Sequence, residues 1–451
     1  MDQVFDGLTT VGVLGAGLTG MFVLVYVVSR RFAVGLAVVS FMAVSNWDIP
    51  IWPTLVYVGG LSVTVPDVFT AVFVLSALVR SPNVLSRLFS AYSLLLALLV
   101  LMLSYSLVVG ISQFGLGTAV NEARAWISIL GVSFWILTYP CAQQDLRAQF
   151  EKFLTLTGFG VAIVAVVHIG MYGLGNASSG VLNDNGITAI GGRPITAVQA
   201  MFISVAALLA LSKWSRGLGN WHLGLFCVFG VFVLITQHRS VWVATLAGVV
   251  VIIGSIPVVR LVVLAWWACA IALVSYVAAS LGGLVTIGSD LTASAQNSNT
   301  YNGRLYDWSV LIDRSIIQGI DTIMLGAPFG SGWNRIRPDG ILLTYIPHNW
   351  YISSYLRVGV VGLVAFVAVL LIALVYTFIA ARSRQEEVAI PLAILVYGWA
   401  YNVQWYLVPV LVFYLASAVM GKTSRVDRDA VIGGETGRLL RSSEHRYASQ
   451  R

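Results

Sequence analysis

Apolar runs close to the ~20 residues that carry a helix across a bilayer recur along almost the whole chain, separated by short polar connections. The short alternating segments of a transmembrane barrel are missing from this pattern. Backbone groups in hydrocarbon must pair within their own segment, so the pattern predicts an all-α polytopic membrane protein, a bundle of helices. Thirteen spans are read, at 10–28, 32–46, 66–79, 88–110, 122–139, 153–173, 195–211, 221–237, 240–256, 260–282, 351–379, 388–402 and 404–420. They divide the chain into ten helices with short loops over 1–282, a large polar loop over 283–350, the last helices over 351–420 and a polar tail over 421–451. The tail mixes charge with Gly and Ser and holds few apolar residues, so it reads as disordered. The first span follows no basic stretch and carries no clean small-residue cleavage site, and it reads as a retained helix.

Composition agrees with the pattern. The chain of 451 residues is 58% hydrophobic and 10% charged, against roughly 25% charged in soluble domains. Its net charge of +7 gathers at the ends of spans and in the tail, so it gives no reason to expect nucleic acid as a partner. Under this parse Arg30, Arg31, Arg80, Arg87, Lys152, Lys213, Arg216, Arg260, Arg382, Arg384 and Lys422 fall on one side. The positive-inside rule makes that side cytoplasmic. Cys141, Cys227 and Cys269 lie in or beside spans without metal-ligand spacing, so neither a disulfide nor a zinc site is implied.

The other side carries Arg124, Arg193, Arg239, Arg304, Arg314, Arg335, Arg337 and Arg357, and no lysine. Guanidinium presents a rigid fork of donors that fits phosphate or carboxylate, whereas lysine is a mobile point charge. An outward bowl lined with arginine therefore points to an anionic ligand. Arg314, Arg335 and Arg337 read as solvated loop surface, and Arg357 as a side chain snorkelling to the interface. Arg124, near Glu122 at the start of a span, reads either as an interfacial anchor or as support for the bowl. Arg239 is different, because "LITQHRSVWVATLAGVV" leaves only residues 236–240 polar between two spans. An arginine held that close to hydrocarbon usually faces a polar cavity. Arg193, in "AIGGRPITAVQA", directly precedes the seventh span.

Within the large loop, "NGRLYDWSVLIDRSIIQ" places Leu305, Trp308, Ile312 and Ile316 on one helical face, with Asn302 as a candidate N-cap. Such a helix is expected to pack over the bundle mouth and to aim Arg304 at the vestibule. "LGAPFGSGW" is a Gly-rich turn whose spacing matches neither a dinucleotide fingerprint nor a P-loop. "IPHNWY", residues 346–351, follows it: Pro347 sets the entry angle of the next span, and Trp350 and Tyr351 suit the interfacial belt. His348 is thereby presented at the outer surface.

The order "TQHRSVWVA", "NGRLYDW", "LGAPFGSGW", "PHNWYISSYLRVGVVGLV" resembles the O-antigen ligase and polymerase family, over residues 230–365. The resemblance implies a type C glycosyltransferase-like fold of about 12–13 transmembrane helices in the bacterial cytoplasmic membrane, with its site facing outward. The implied donor is an undecaprenyl-pyrophosphate-linked glycan, and the implied acceptor is a second glycan or a lipid such as lipid-A core. No metal or other cofactor is implied. The chemistry requires a grip on pyrophosphate and a base for the acceptor hydroxyl. Arg239, Arg193 and Arg304 match the first, and His348 matches the second. Asn349 is placed to orient the acceptor, with Arg124 and Trp308 in support. The family usually carries an acidic residue where this chain has Arg357. A transporter or flippase is the rival class, for which only "YGWAYNVQWYL", residues 397–407, looks interrupted; it reads as an outer turn between the last two spans.

Overall fold

The computed structural model describes residues 17, 19–45, 54–58, 60–80, 90–141, 143–172, 193–254, 256–263, 265, 299–336, 340–380, 384–417 and 419. Most of the expected span at 260–282, the start of the large loop, Cys269, Arg337 and the polar tail lie outside these residues.

The architecture is that of an all-α, multi-pass membrane protein. Helix α1 (Thr19–Arg30) meets α2 (Phe32–Ser45) at 116°. A short antiparallel hairpin of β1 (Thr54–Val58) and β2 (Leu61–Thr64) leads into α3 (Val65–Arg80). There follow α4 (Ser90–Phe114), α5 (Leu116–Leu137), α6 (Gln144–Tyr172), α7 (Ala197–Ser215), α8 (Trp221–Ile235) and α9 (Arg239–Ile253). After the large loop's α10 (Asn299–Ile317) and α11 (Ile320–Leu325) comes a two-residue hairpin, β3 (Arg335–Ile336) with β4 (Leu342–Leu343). The chain closes with α12 (Trp350–Ala380), α13 (Glu386–Ala400) and α14 (Val408–Ser417).

Four described helices, within α4, α6, α7 and α12, are long and apolar enough for a full crossing, or five if the bent pair α1–α2 is one span. This is fewer than the thirteen spans expected. Three further helices, α8, α9 and α14, are apolar but shorter than a full crossing needs, and α13 opens on buried Glu386 and Glu387. Helix α7 is the axis of the bundle, buried along nearly its whole length. It is apolar on all sides, as an enclosed helix must be. Thr196 starts it with a capping box to Gln199, whose amide also donates to the carbonyls of Ala43 and Val44. Around the axis, Phe150 stacks on Phe413 at 3.9 Å, with Phe32 and Trp135 beyond. Exposed Leu101, Val108, Leu246, Val250, Leu371 and Phe378 give the rim an apolar coat, as a lipid-facing surface requires.

Helix α12 is not one straight rod. Gly359 breaks it with φ 63° and ψ −167°. The rings of Trp350 and Phe366 lie 4.7 Å apart, whereas a straight helix would separate these residues by about 24 Å. Residues 350–358 therefore run against the remainder of α12 as a helical hairpin. A Cβ at Gly359 would stand 2.2 Å from the Met324 carbonyl oxygen, so only glycine permits both the positive φ and the approach of α11. Trp350 is accordingly 3% exposed and inside the bundle, which corrects its expected place in the interfacial belt.

Charged side chains collect at two ends. At one, Arg147 pairs with Glu387, Arg216 with Glu386 and Lys213 with Glu151. The other end holds the 236–238 turn, the start of α7, the large loop and the turn after α13.

Candidate functional site

At this second end four chain segments meet around Tyr401. Arg193 precedes α7, and Ile195 beside it accepts a hydrogen bond at 2.8 Å from His238 Nε2. That bond ties the start of α7 to the tight 236–238 turn, where Gln237 takes φ 56°. Arg239 follows as the first residue of α9 and interacts electrostatically with Arg193, Arg304 and Tyr401. From above, Arg304 on α10 donates to the Ala400 carbonyl at 2.9 Å and lies 4.7 Å over the Tyr401 ring. Tyr401 caps α13, stacks on Tyr397 at 5.4 Å and hydrogen-bonds Arg193 and Arg304 through its hydroxyl.

His348 completes the ring, its imidazole 5.5 Å from Tyr401 and 5.5 Å from Tyr345. Its loop is fixed by Asn402, whose Nδ2 donates to the Pro347 carbonyl at 2.6 Å while its Oδ1 accepts from Ser353 at 2.8 Å. Asn349 caps the reversed segment of α12 by accepting from the amides of Tyr351 and Ile352. Its Nδ2 is buried without a hydrogen-bond partner.

The electrostatics are one-sided. Among the described residues no carboxylate pairs with Arg193, Arg239 or Arg304, while Arg124 pairs with Asp67, Arg335 with Asp307 and Arg357 with Glu122. Burial, with Arg304 and Arg335 adding to it, pushes His348 down to about 4. Burial together with Arg193 and Arg304 takes His238 down to about 3. Burial alone would raise the Tyr401 phenol, but Arg193 and Arg304 outweigh it and hold the group below its ordinary value. Both imidazoles are therefore neutral at physiological pH, in a field that favours anions.

The structure thus brings Arg193, Arg239, Arg304 and His348 together, with Asn349 at the edge. Trp308 is buried on α10 against Trp399, at 6.1 Å, and backs the helix that carries Arg304. Arg124 is not drawn in: it holds the β1–β2 hairpin through Asp67 at 2.9 Å and through the Ser62 carbonyl. Arg335, expected in solvent, is 4% exposed and donates to the Tyr345 carbonyl at 2.8 Å. Arg357 is buried as well, paired with Glu122 and 3.7 Å over Trp333. Helix α10 begins at Asn299, so Asn302 lies inside it and is not its N-cap. Its buried face is Asp307, Trp308, Leu311 and Ser315, while Leu305 and Ile316 are exposed. The shift follows from the ion pair of Asp307 with Arg335 and the packing of Leu311 on Trp333 and Leu356.

Two site residues escaped the sequence reading. Tyr401 sits in the interrupted stretch after α13, whose break in apolarity was its only signal. His238 was overshadowed by its neighbour Arg239. Among the described residues no three His, Cys, Asp or Glu side chains converge as a metal site; the donors gathered here suit an anion. Compared with known proteins, the chain matches no family model and no curated protein.

Proposed function

We propose that this protein is a membrane glycosyltransferase of the O-antigen ligase and polymerase kind, working on the outer face of a bacterial cytoplasmic membrane. Its donor is a glycan on undecaprenyl pyrophosphate, and its acceptor is a hydroxyl of another glycan or of a lipid. The observation that carries this reading is the convergence of three arginines without carboxylate partners on a neutral histidine. In the step envisaged, the acceptor oxygen attacks the anomeric carbon as the bond from that carbon to the pyrophosphate oxygen breaks. The electron pair stays on the pyrophosphate, where Arg193, Arg239 and Arg304 offset its charge. The acceptor proton passes to His348. At about 4 this imidazole is a weak base in the free protein. The bound pyrophosphate counters the Arg304 and Arg335 fields and raises its basicity at the moment of use.

The reversed α12 and the 116° bend between α1 and α2 favour a second reading, because broken helices also line the pathways of carriers. One experiment separates the two. Purified protein in nanodiscs, where no gradient exists, is given lipid-linked glycan and acceptor, and products are resolved by mass spectrometry. Extended or transferred glycan that disappears in His348→Ala supports the transferase. Absence of product from the native protein, or undiminished product in His348→Ala, rejects it.

A further inference from the structure

His238 offers the site something its arginines cannot. The Ile195 carbonyl can only accept, so its 2.8 Å contact places the imidazole proton on Nε2. In a neutral ring the lone pair then resides on Nδ1, and this atom is buried without a hydrogen-bond partner. Burial and the fields of Arg193 and Arg304 keep the ring neutral. Arg193, two residues before Ile195, has its own orphan, since Nε is buried and unpartnered while the rest of the guanidinium engages Tyr401. The unmet demand is thus one acceptor and one donor on adjoining segments. Buried polar atoms rarely stay unpaired in a finished site.

A pyrophosphate oxygen, carrying no hydrogen at neutral pH, meets only the arginine half of this demand. A hydroxyl meets both, donating to Nδ1 and accepting from Nε–H. We propose that His238 and Arg193 together bind a hydroxyl of the sugar carried on the pyrophosphate, making His238 a specificity residue of the donor site. The inference rests on the transferase reading for the identity of that sugar.

The test separates the two imidazole nitrogens. In His238→Gln the new amide nitrogen reaches the Nε2 position and keeps the bond to Ile195, but the acceptor at Nδ1 is gone. In His238→Asn the amide oxygen restores an acceptor near Nδ1, but the Ile195 bond is lost. Full-length protein in nanodiscs is titrated with undecaprenyl pyrophosphate, bare or carrying N-acetylglucosamine. The native protein should bind the sugar-bearing lipid more tightly. His238→Gln should lose roughly tenfold for that lipid and nothing for the bare one, while His238→Asn should keep the preference. Equal binding of the two lipids by the native protein, or an unchanged preference in His238→Gln, overturns the inference and leaves the transferase reading standing. Binding of neither lipid overturns both.

Discussion

Glu122 is the joint on which the large loop hangs, and removing it should loosen one turn of the protein by a calculable amount. Its Oε2 accepts from the amides of Gly330 at 2.8 Å and Gly332 at 3.1 Å. Its Oε1 pairs with Arg357, which in turn donates to the Gly332 carbonyl at 2.9 Å. Arg357 is 2% exposed, so Glu122→Ala strips two charge-assisted bonds from the turn and leaves an uncompensated buried cation. Deleting one partner of such a pair costs about 3–5 kcal/mol. The free energy needed to open the turn falls by that amount, up to its whole value, and amide exchange over 326–336 should quicken by roughly two to four orders of magnitude. Hydrogen exchange read by mass spectrometry, with the enclosed helix α7 as internal reference, measures this directly. Adding Arg357→Met removes the orphaned charge, so the double variant should exchange more slowly than Glu122→Ala alone. Exchange within threefold of native in Glu122→Ala, or a double variant that is the faster of the two, would refute the account.

Other consequences are simpler. Because His348 sits at about 4, kcat/KM should stay level from pH 8 to 6 and fall only as pH approaches 4; an acid limb at the ordinary ~6.5 would mean the imidazole is not buried among arginines. Between ~6.5 and 4 an unfolded chain takes up protons that the native His348 and His238 refuse, so thermal stability should decline as pH drops through that window and be flat above it. Gly359→Ala meets a carbonyl at 2.2 Å and φ 63° and should sharply reduce the yield of monodisperse protein on size-exclusion chromatography. Gly60→Ala, at φ 81° with nothing within 4 Å, should lower it only slightly, and equal yields would contradict the reversal of α12. Tyr401→Phe keeps the stack on Tyr397 but frees the Arg193 and Arg304 forks, so transfer should fall several-fold with little change in melting temperature. Arg239→Lys keeps the charge and should nonetheless fail in transfer; full activity would make charge alone sufficient.

The division of charge between two ends was legible in the sequence, because spacing and residue type determine it. Of the arginines set apart by residue type, Arg193, Arg239 and Arg304 come together around Tyr401. Exposure was not legible in the same way. Arg335 and Arg357 looked like surface and snorkel because their acids, Asp307 and Glu122, come from other elements and only tertiary contact unites them. The α12 reversal was hidden for a related reason. The run after "IPHNWY" has the length and apolarity of a span, and a single Gly359 among several glycines carries no local sign that its φ is positive. Tyr401 could have been suspected from its interrupted surroundings, yet its value lies in the two guanidiniums that it contacts.

The pairing of acids explains why the site is where it is. At this end of the bundle every carboxylate among Asp67, Glu122 and Asp307 is committed to an arginine at a structural joint: the β1–β2 hairpin, the Gly-rich turn and the seat of α10. Those joints fix the loop that carries Arg304 and the reversed helix whose entry carries His348. Arg193, Arg239 and Arg304 are left facing one another, with the Tyr401 hydroxyl accepting from Arg193 and Arg304. Like charges in a partly desolvated pocket repel, so holding three guanidiniums together works against folding. Adding a carboxylate would relieve that repulsion and occupy the anion's place. The three guanidiniums are best balanced when an anion settles among them.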